Sequence, residues 1–153
     1  HIVGCDLDLV LVGGGSRTEN QDFVSFGRGL GVNVQVLSNL DSTEMTILMK
    51  RSTAVIGLAH GEAFGLTPIE SMALGAPPVF VDEGGYRDTI VDGVNGRLVA
   101  RGDFDDWRKA LIQARDPDTR ARWAESGLSR IVELGLSSEN YASQLDERLR
   151  SLL

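Results

Sequence analysis

The stretch that decides the fold runs from His60 to Pro77 and reads HGEAFGLTPIESMALGAP. It lies between two short apolar runs, Ala54 to Leu58 and Pro78 to Val81, which have the composition of strands buried on both faces. Between these runs a glycine-containing loop leads into a predicted helix from about Pro68 to Leu74. The order of strand, loop, helix and strand is typical of an α/β fold whose loop ends at a helix N-terminus.

The same alternation of elements extends through the chain on both sides of this stretch. Strands are predicted at 7–12, 34–37, 54–58, 78–81 and 98–100, and helices at 18–30, 42–50, 68–74, 86–91, 103–115, 117–134 and 138–152. Strands that alternate with helices over short connections predict a parallel sheet. We therefore expect an α/β, three-layer Rossmann-like sheet with helices on both faces and a helical C-terminal segment, in a single domain over 1–153.

Composition limits the classes of partner. The net charge of −7 argues against nucleic acid, because phosphate backbones are bound by clustered basic side chains. No apolar run approaches the ~20 residues of a membrane span, and the start of the chain has no pattern of a signal peptide. The single cysteine, Cys5, excludes an internal disulfide and favours a reducing cytoplasm. Two His and one Cys do not suggest a metal site, so we expect no metal.

The start of the predicted helix is the part of the chain best suited to ligand chemistry. A helix N-terminus offers free N–H groups and a partial positive charge, which favour a phosphate. Two carboxylates, Glu62 and Glu70, flank this start with seven residues between them. Carboxylates only accept hydrogen bonds and therefore suit ribose or sugar hydroxyls. This arrangement favours a sugar-nucleotide site.

Each of these residues also has a structural interpretation. Thr67 and Glu70 have the spacing of a capping box, with Thr67 as N-cap and Pro68 at the first helical position. Glu62 could be a solvated loop residue, although its small and apolar neighbours indicate a loop packed closely against something. His60 is interpreted as a loop histidine, because no partner for nucleophilic catalysis is evident.

The glycine run at 13–15 follows the first predicted strand. It lacks the third glycine of a dinucleotide fingerprint, so it is either a tight turn or a turn that faces a ligand.

Several segments together resemble the retaining GT-B glycosyltransferases of family 4, the group 1 transferases. Residues 62–77, EAFGLTPIESMALGAP, resemble the E-x7-E signature of this family. Residues 10–15, VLVGGG, resemble its strand and glycine turn, and residues 84–99, GGYRDTIVDGVNGRLV, resemble its glycine pair and the turn that follows. The resemblance covers about 7–150.

The resemblance implies that the chain is the C-terminal, donor-binding half of a GT-B fold, from a longer two-domain enzyme. It implies a catalytic role for Glu62, which would meet hydroxyls of the donor sugar. It also implies hydrogen bonds from Glu70 to the nucleotide ribose. The remaining residues implied to bind the donor nucleotide are Gly13, Gly14, Ser38, Leu40, Phe64, Gly65, Leu66 and Thr67.

The implied reaction transfers a hexose-type sugar from an NDP-sugar to an acceptor, with retention of configuration and with neither metal nor cofactor. The acceptor is a sugar, a lipid-linked glycan or a small molecule. The family's acceptor-binding N-terminal domain and the Arg and Lys that clamp the donor phosphates would precede this chain. The fragment alone is therefore expected to be inactive, and the enzyme to be cytoplasmic or peripheral at the membrane through that N-terminal domain.

The sequence departs from the family pattern at several positions, among them Leu58-Ala59, where the family commonly has Pro-Ser, and Asp88, where it commonly has Glu. Two other functions stay open. One is a non-catalytic Rossmann-like interaction module, because a fold alone does not determine function. The other is a sugar-nucleotide epimerase of related shape.

Overall fold

The computed structural model of the chain describes residues 6–13, 15–137, 140 and 150. Strands and helices alternate along it, which confirms the predicted α/β class with a helical C-terminal segment. The elements are β1 (Leu9–Val12), α1 (Arg17–Gly29), β2 (Val34–Leu37), α2 (Ser42–Arg51), β3 (Val55–Gly57), α3 (Leu66–Ala73), β4 (Pro78–Val81), α4 (Tyr86–Thr89), β5 (Arg97–Val99), α5 (Phe104–Arg115) and α6 (Pro117–Leu134). Cys5, Gly14 and most of the helix predicted at 138–152 lie outside the described residues.

Across the described residues all strand pairs are parallel, as predicted, but the strands form two sheets instead of one. One sheet has the order β1-β2 and the other the order β3-β4-β5. In β1 the N–H of Leu9 donates to the loop before β2, and the N–H of Gly13, just after β1, donates to the end of β2. The backbone N–H and carbonyl of Val10 therefore point away from β2. In β3 the N–H of Val55 donates to Pro77, so the backbone of Ile56 faces away from β4. Neither of these two strand edges pairs with another of the described strands. The alternation of strands and helices in the sequence does not reveal that the two sheets are separate.

Most helices begin where the sequence supplies a capping side chain. The Asp41 side chain accepts hydrogen bonds from the N–H groups of Thr43 and Glu44, and the Asp41 N–H donates to the Glu44 carboxylate, which completes a capping box. Asp116 caps α6, with Pro117 at the first helical position as predicted. In the described part of the chain, no helix combines the length and the apolar character needed to cross a membrane.

The hydrophobic core is built around β4, all four residues of which are buried. Phe80 packs edge-on against Tyr86, with ring centroids 4.8 Å apart, and the cluster extends to Trp107 of α5 and Trp123 of α6. The partly buried residues that pack against this cluster come from β3 and β5, together with Ala54, which directly precedes β3. The carboxyl ends of β3, β4 and β5 are therefore held on a closely packed base, and this is where the candidate site lies.

Candidate active site

Three loops meet at the carboxyl edge of the second sheet. They follow β3, β4 and β5 and span residues 58–65, 82–85 and 100–103. In open α/β sheets, ligands bind outside the carboxyl ends of the strands. The first of these loops, 58–65, contains Glu62 and ends at the start of α3, so it is the centre of the candidate site.

The start of α3 differs from the prediction. The N-cap is Gly65, with φ of 86° in the left-handed region, and it makes no side-chain capping bond. The helix begins at Leu66, which places Pro68 third and Glu70 fifth in the helix. The predicted capping box of Thr67 and Glu70 is therefore wrong, because the backbone turns into the helix two residues earlier than the box requires.

Glu62 caps this end of the helix from the preceding loop. Its Oε1 accepts hydrogen bonds from the backbone N–H of Gly65 at 3.0 Å and of Phe64 at 3.4 Å. The carboxylate is thus placed at the positive end of α3, where a negative charge is favourable. Its Oε2 has no hydrogen-bond partner among the described residues and remains available to a ligand.

The loop that contains Glu62 packs against the glycine pair that follows β4. The N–H of Gly85 donates to the carbonyl of Glu62 at 2.9 Å. A Cβ at Gly84 would lie 2.6 Å from the same carbonyl oxygen, and one at Gly85 would overlap the backbone of Ala63 and Phe64. The small residues of both loops thus allow two backbones to meet directly, which is the close packing that the sequence indicated around Glu62.

Tyr86 lies beneath the same loop and is only 4% exposed. A Cβ added at Gly65 would come within 2.8 Å of its ring, so the N-cap position has no room for a larger residue. Burial raises the pKa of the Tyr86 phenol, and the charge of Glu62 raises it further, while an interaction with the Ala59 backbone and the charge of Arg101 lower it. The phenol therefore stays neutral under physiological conditions and supports the loop from below.

The outer face of the first turn of α3 is open. Leu66 is 64% exposed, and Thr67 and Glu70 are also exposed. The N–H groups of Leu66 and Thr67 precede the first intrahelical bond and have no partner among the described residues. The carboxylate of Glu70 makes no hydrogen bond in the described part either. The structure thus brings Glu62, Glu70 and two free backbone donors to one helix start, while their roles in binding stay predictions.

The other predicted contacts lie on the first sheet. The N–H of Gly13 donates to the Leu37 carbonyl at 3.1 Å, which joins the carboxyl ends of β1 and β2 next to Ser38 and Leu40. A Cβ at Gly13 would meet no atom within 4 Å, so this turn faces open space. Within the described residues, no hydrogen bond links these two strand ends to the 58–65 loop. Gly14 lies outside the described residues.

Arg101 was not identified from the sequence, yet it contacts the ends of all three strands of the second sheet. Its Nε and Nη2 donate to the two carboxylate oxygens of Glu83 at 2.9 Å and 2.7 Å, and its Nη1 donates to the Leu58 carbonyl at 3.0 Å. The guanidinium lowers the pKa of the Glu83 carboxyl. His60 is 3.4 Å from the same carboxylate. Glu83 and Leu58 are 18 and 43 residues from Arg101 along the chain, so no local sequence pattern could have shown these contacts.

The other arginine at this edge, Arg87, also has a carboxylate partner. Its Nε donates to Asp82 at 2.6 Å, and its Nη2 donates to the Asp82 carbonyl at 2.7 Å. In the part of the chain that the structure describes, no three His, Cys, Asp or Glu side chains are placed to hold a metal ion. A depression of about 570 Å³ lies beside Arg101, lined by 100 and 102–105, and does not include Glu62 or Glu70.

The sequence matches a known family over most of its length. The family model described as glycosyl transferases group 1 matches residues 4–130. A D-inositol 3-phosphate glycosyltransferase of Frankia alni is 33% identical over 138 residues, which are 86% of this chain and 34% of that protein. The lipopolysaccharide core biosynthesis mannosyltransferase LpcC of Rhizobium leguminosarum bv. viciae is 31% identical over 80% of this chain and 35% of that protein. The chain thus spans about a third of the length of these curated relatives.

Solved structures share the fold at lower identity. Anabaena HepE, solved in complex with UDP-glucose, superposes with a TM-score of 0.76 at 23% identity, over 94% of this chain and 41% of that chain. The sucrose-phosphate synthase of Thermosynechococcus elongatus superposes with a TM-score of 0.76 at 23% identity, over 95% of this chain and 38% of that chain. At these sequence identities the superpositions show only that this chain shares the fold of those proteins.

Proposed function

The chain belongs to the glycosyl transferases of group 1, and from this membership we propose that it forms the donor-binding part of a retaining glycosyltransferase. The proposed reaction moves a hexose-type sugar from an NDP-sugar to an acceptor. The two relatives named above are described as a glycosyltransferase and a mannosyltransferase, and HepE was solved with UDP-glucose. The observation that supports this function best is the exposed start of α3, with its free N–H groups between two carboxylates.

The diphosphate of the donor would lie at this helix start. The N–H groups of Leu66 and Thr67 point out of the first turn and have no partner among the described residues. Backbone donors at a helix N-terminus bind phosphate well, because the helix dipole adds a partial positive charge. When the sugar leaves, negative charge develops on the diphosphate, and donors already fixed in the helix stabilise it without reorganisation.

The two glutamates would hold the two ends of the donor. Glu70 is exposed one turn into α3, so its carboxylate is free to accept hydrogen bonds from ribose hydroxyls. Glu62 uses Oε1 to cap the helix, which fixes its position and leaves Oε2 for hydroxyls of the donor sugar. We propose that neither a metal nor a cofactor takes part, and that the leaving diphosphate accepts the proton of the acceptor on the same face.

A diphosphate also needs nearby positive charge, and the described residues supply little of it at this edge. Arg87 is paired with Asp82, and Arg101 is paired with Glu83. We therefore propose that the cations that clamp the donor come from outside the described residues of this edge. By the same argument, transfer requires the full-length protein.

Calorimetry with the full-length protein tests the proposed donor site. A panel of UDP-, GDP- and ADP-sugars should contain at least one that binds, and Glu70→Gln should weaken that binding about tenfold, the factor that corresponds to about one lost hydrogen bond of ~1.4 kcal/mol. Glu125→Gln, an exposed glutamate on α6, is the matched control and should bind as the wild type does. The proposal fails if no NDP-sugar binds or if Glu70→Gln binds as well as the control.

Product analysis tests the reaction itself. The full-length protein, incubated with the NDP-sugar that it binds and with an acceptor, should release a nucleoside diphosphate. The glycoside that forms should have the same anomeric configuration as the donor sugar. Formation of an epimeric sugar nucleotide, or inversion at the anomeric carbon, would contradict retaining transfer.

A further inference from the structure

We propose that Arg101 is a positioning residue for the loop that holds Glu62, and hence for the catalytic geometry of the proposed site. This inference rests on the proposed function. Arg101 follows β5, its partner Glu83 follows β4, and its second partner Leu58 follows β3. One guanidinium thus ties together the carboxyl ends of three neighbouring strands.

The chemistry of the contact suits this role. The planar fork of an arginine presents several N–H donors in fixed directions, and here three of its nitrogens are used at once. Two of them hold both oxygens of Glu83, which turns that carboxylate into a rigid support. The third, Nη1, is thereby aimed at the Leu58 carbonyl at 3.0 Å. A lysine at this position has no planar fork with which to make these contacts in fixed directions.

The contact at Leu58 fixes the first residue of the loop, and other contacts fix the rest. In its middle, the Glu62 carbonyl accepts from Gly85 N–H at 2.9 Å. At its end, the Glu62 side chain accepts from Gly65 N–H at 3.0 Å. Since Leu58 itself is 52% exposed, packing of its side chain contributes little to holding the start of the loop. The hydrogen bond from Arg101 to Leu58 is therefore expected to fix the direction in which the loop leaves β3, and with it the orientation of the Glu62 side chain.

The neighbouring ion pair provides a comparison within the same edge. Arg87 also binds a carboxylate that follows β4, but both of its hydrogen bonds go to Asp82, five residues away. It makes no contact with the 58–65 loop among those described. Arg87→Gln is therefore the matched control for Arg101→Gln. Each substitution removes one arginine from one carboxylate, but only Arg101→Gln also removes the hydrogen bond to the Leu58 carbonyl.

Hydrogen exchange of the full-length protein tests the positioning directly. In Arg101→Gln, the amides of a peptide covering 58–66 should exchange about tenfold faster than in the wild type, because a tenfold change corresponds to about 1.4 kcal/mol, within the range for a hydrogen bond to a charged group. In Arg87→Gln the same peptide should exchange as in the wild type. Equal exchange of this peptide in the two variants would overturn the proposal.

Kinetics of the same variants separate positioning from stability. Arg101→Gln should lower kcat about tenfold while the affinity for the free nucleoside diphosphate stays the same, because the diphosphate is proposed to bind at Leu66 and Thr67 and not at Glu62. Arg101→Lys should restore only part of kcat, since it keeps the charge and loses the fork. A wild-type kcat in Arg101→Gln, or full rescue by lysine, would contradict a positioning role.

The two measurements also keep this inference separate from the proposed function. If the full-length wild type binds no NDP-sugar, the proposed function fails, while the exchange of peptide 58–66 still shows whether Arg101 holds the loop. If binding and transfer occur but the exchange is unaltered, the proposed function stands and the role of Arg101 is wrong.

Discussion

Glu62 caps the helix that follows its own loop: its Oε1 accepts the N–H of Gly65 at 3.0 Å. Replacing Glu62 by Ala should therefore lower the free energy of unfolding by about 1 kcal/mol, the usual cost of a lost helix cap. Glu62→Gln keeps an acceptor oxygen and should lose less than half of that. Urea unfolding of the chain measures both, and equal losses in the two variants would contradict the capping role.

Glu70 should affect binding without affecting stability. It is exposed, lies fifth in α3 and makes no capping bond, so Glu70→Ala should change the free energy of unfolding by less than about 0.5 kcal/mol. In the full-length protein the same substitution should weaken donor binding. A loss of stability as large as that of Glu62→Ala would show that the carboxylate supports the helix after all.

A methyl group at Gly85 should displace the loop that carries Glu62. The added Cβ would overlap the backbone of Ala63 and Phe64, and backbone cannot move aside as a flexible side chain can. Gly85→Ala should therefore destabilise the chain by about 1–3 kcal/mol. Gly29→Ala is the control, since a Cβ there meets nothing within 4 Å and alanine favours the end of α1. Thermal unfolding should show a lower Tm for the first variant and an equal or higher one for the second.

The phenol of Tyr86 should ionise above its ordinary pKa of 10.0, because burial and the charge of Glu62 disfavour the anion. A group whose pKa is raised by folding stabilises the fold while it is protonated. This contribution should be complete below pH 10.0 and be lost as pH rises through the raised pKa. Alkaline titration by absorbance, taken as the difference between wild type and Tyr86→Phe, reports the pKa. A difference curve centred at or below 10.0 would contradict the prediction.

The start of α3 shows where local sequence patterns stop being decisive. Thr67, Pro68 and Glu70 have the spacing of a capping box, yet the helix begins at Leu66. Proline is compatible with any position in the first turn, because none of those N–H groups has an intrahelical partner. Pro68 therefore fixes the start of the helix only to within a turn. The start of the helix depended on Gly65 adopting a φ of 86° and on the Glu62 side chain accepting the N–H of Gly65, three residues further along the chain.

The α/β class, the parallel pairing and most element bounds could be predicted, because apolar periodicity and caps such as Asp41 and Asp116 act locally. The division into two sheets could not, since strand adjacency depends on contacts between distant segments. Arg101 was missed for the same reason, as its partner Leu58 is 43 residues away. Glu62 and Glu70 could be proposed as site residues because a helix start and its flanking carboxylates are close in sequence, and their roles in binding stay predictions.

The placement of the core has a consequence for how the chain opens. The core cluster and the residues packed on it come from 54–123, whereas β1, α1 and β2 contribute none of them. In addition, Phe23 and Phe26 on α1 are 54% and 70% exposed, so this helix leaves large apolar side chains unburied. Parts of a protein with few buried contacts open at lower free energy, in cooperative units smaller than the whole. Within the part of the chain that the structure describes, the segment 9–37 is therefore expected to form the least stable such unit and to be cleaved before the strands that support Glu62, which stay closed under native conditions.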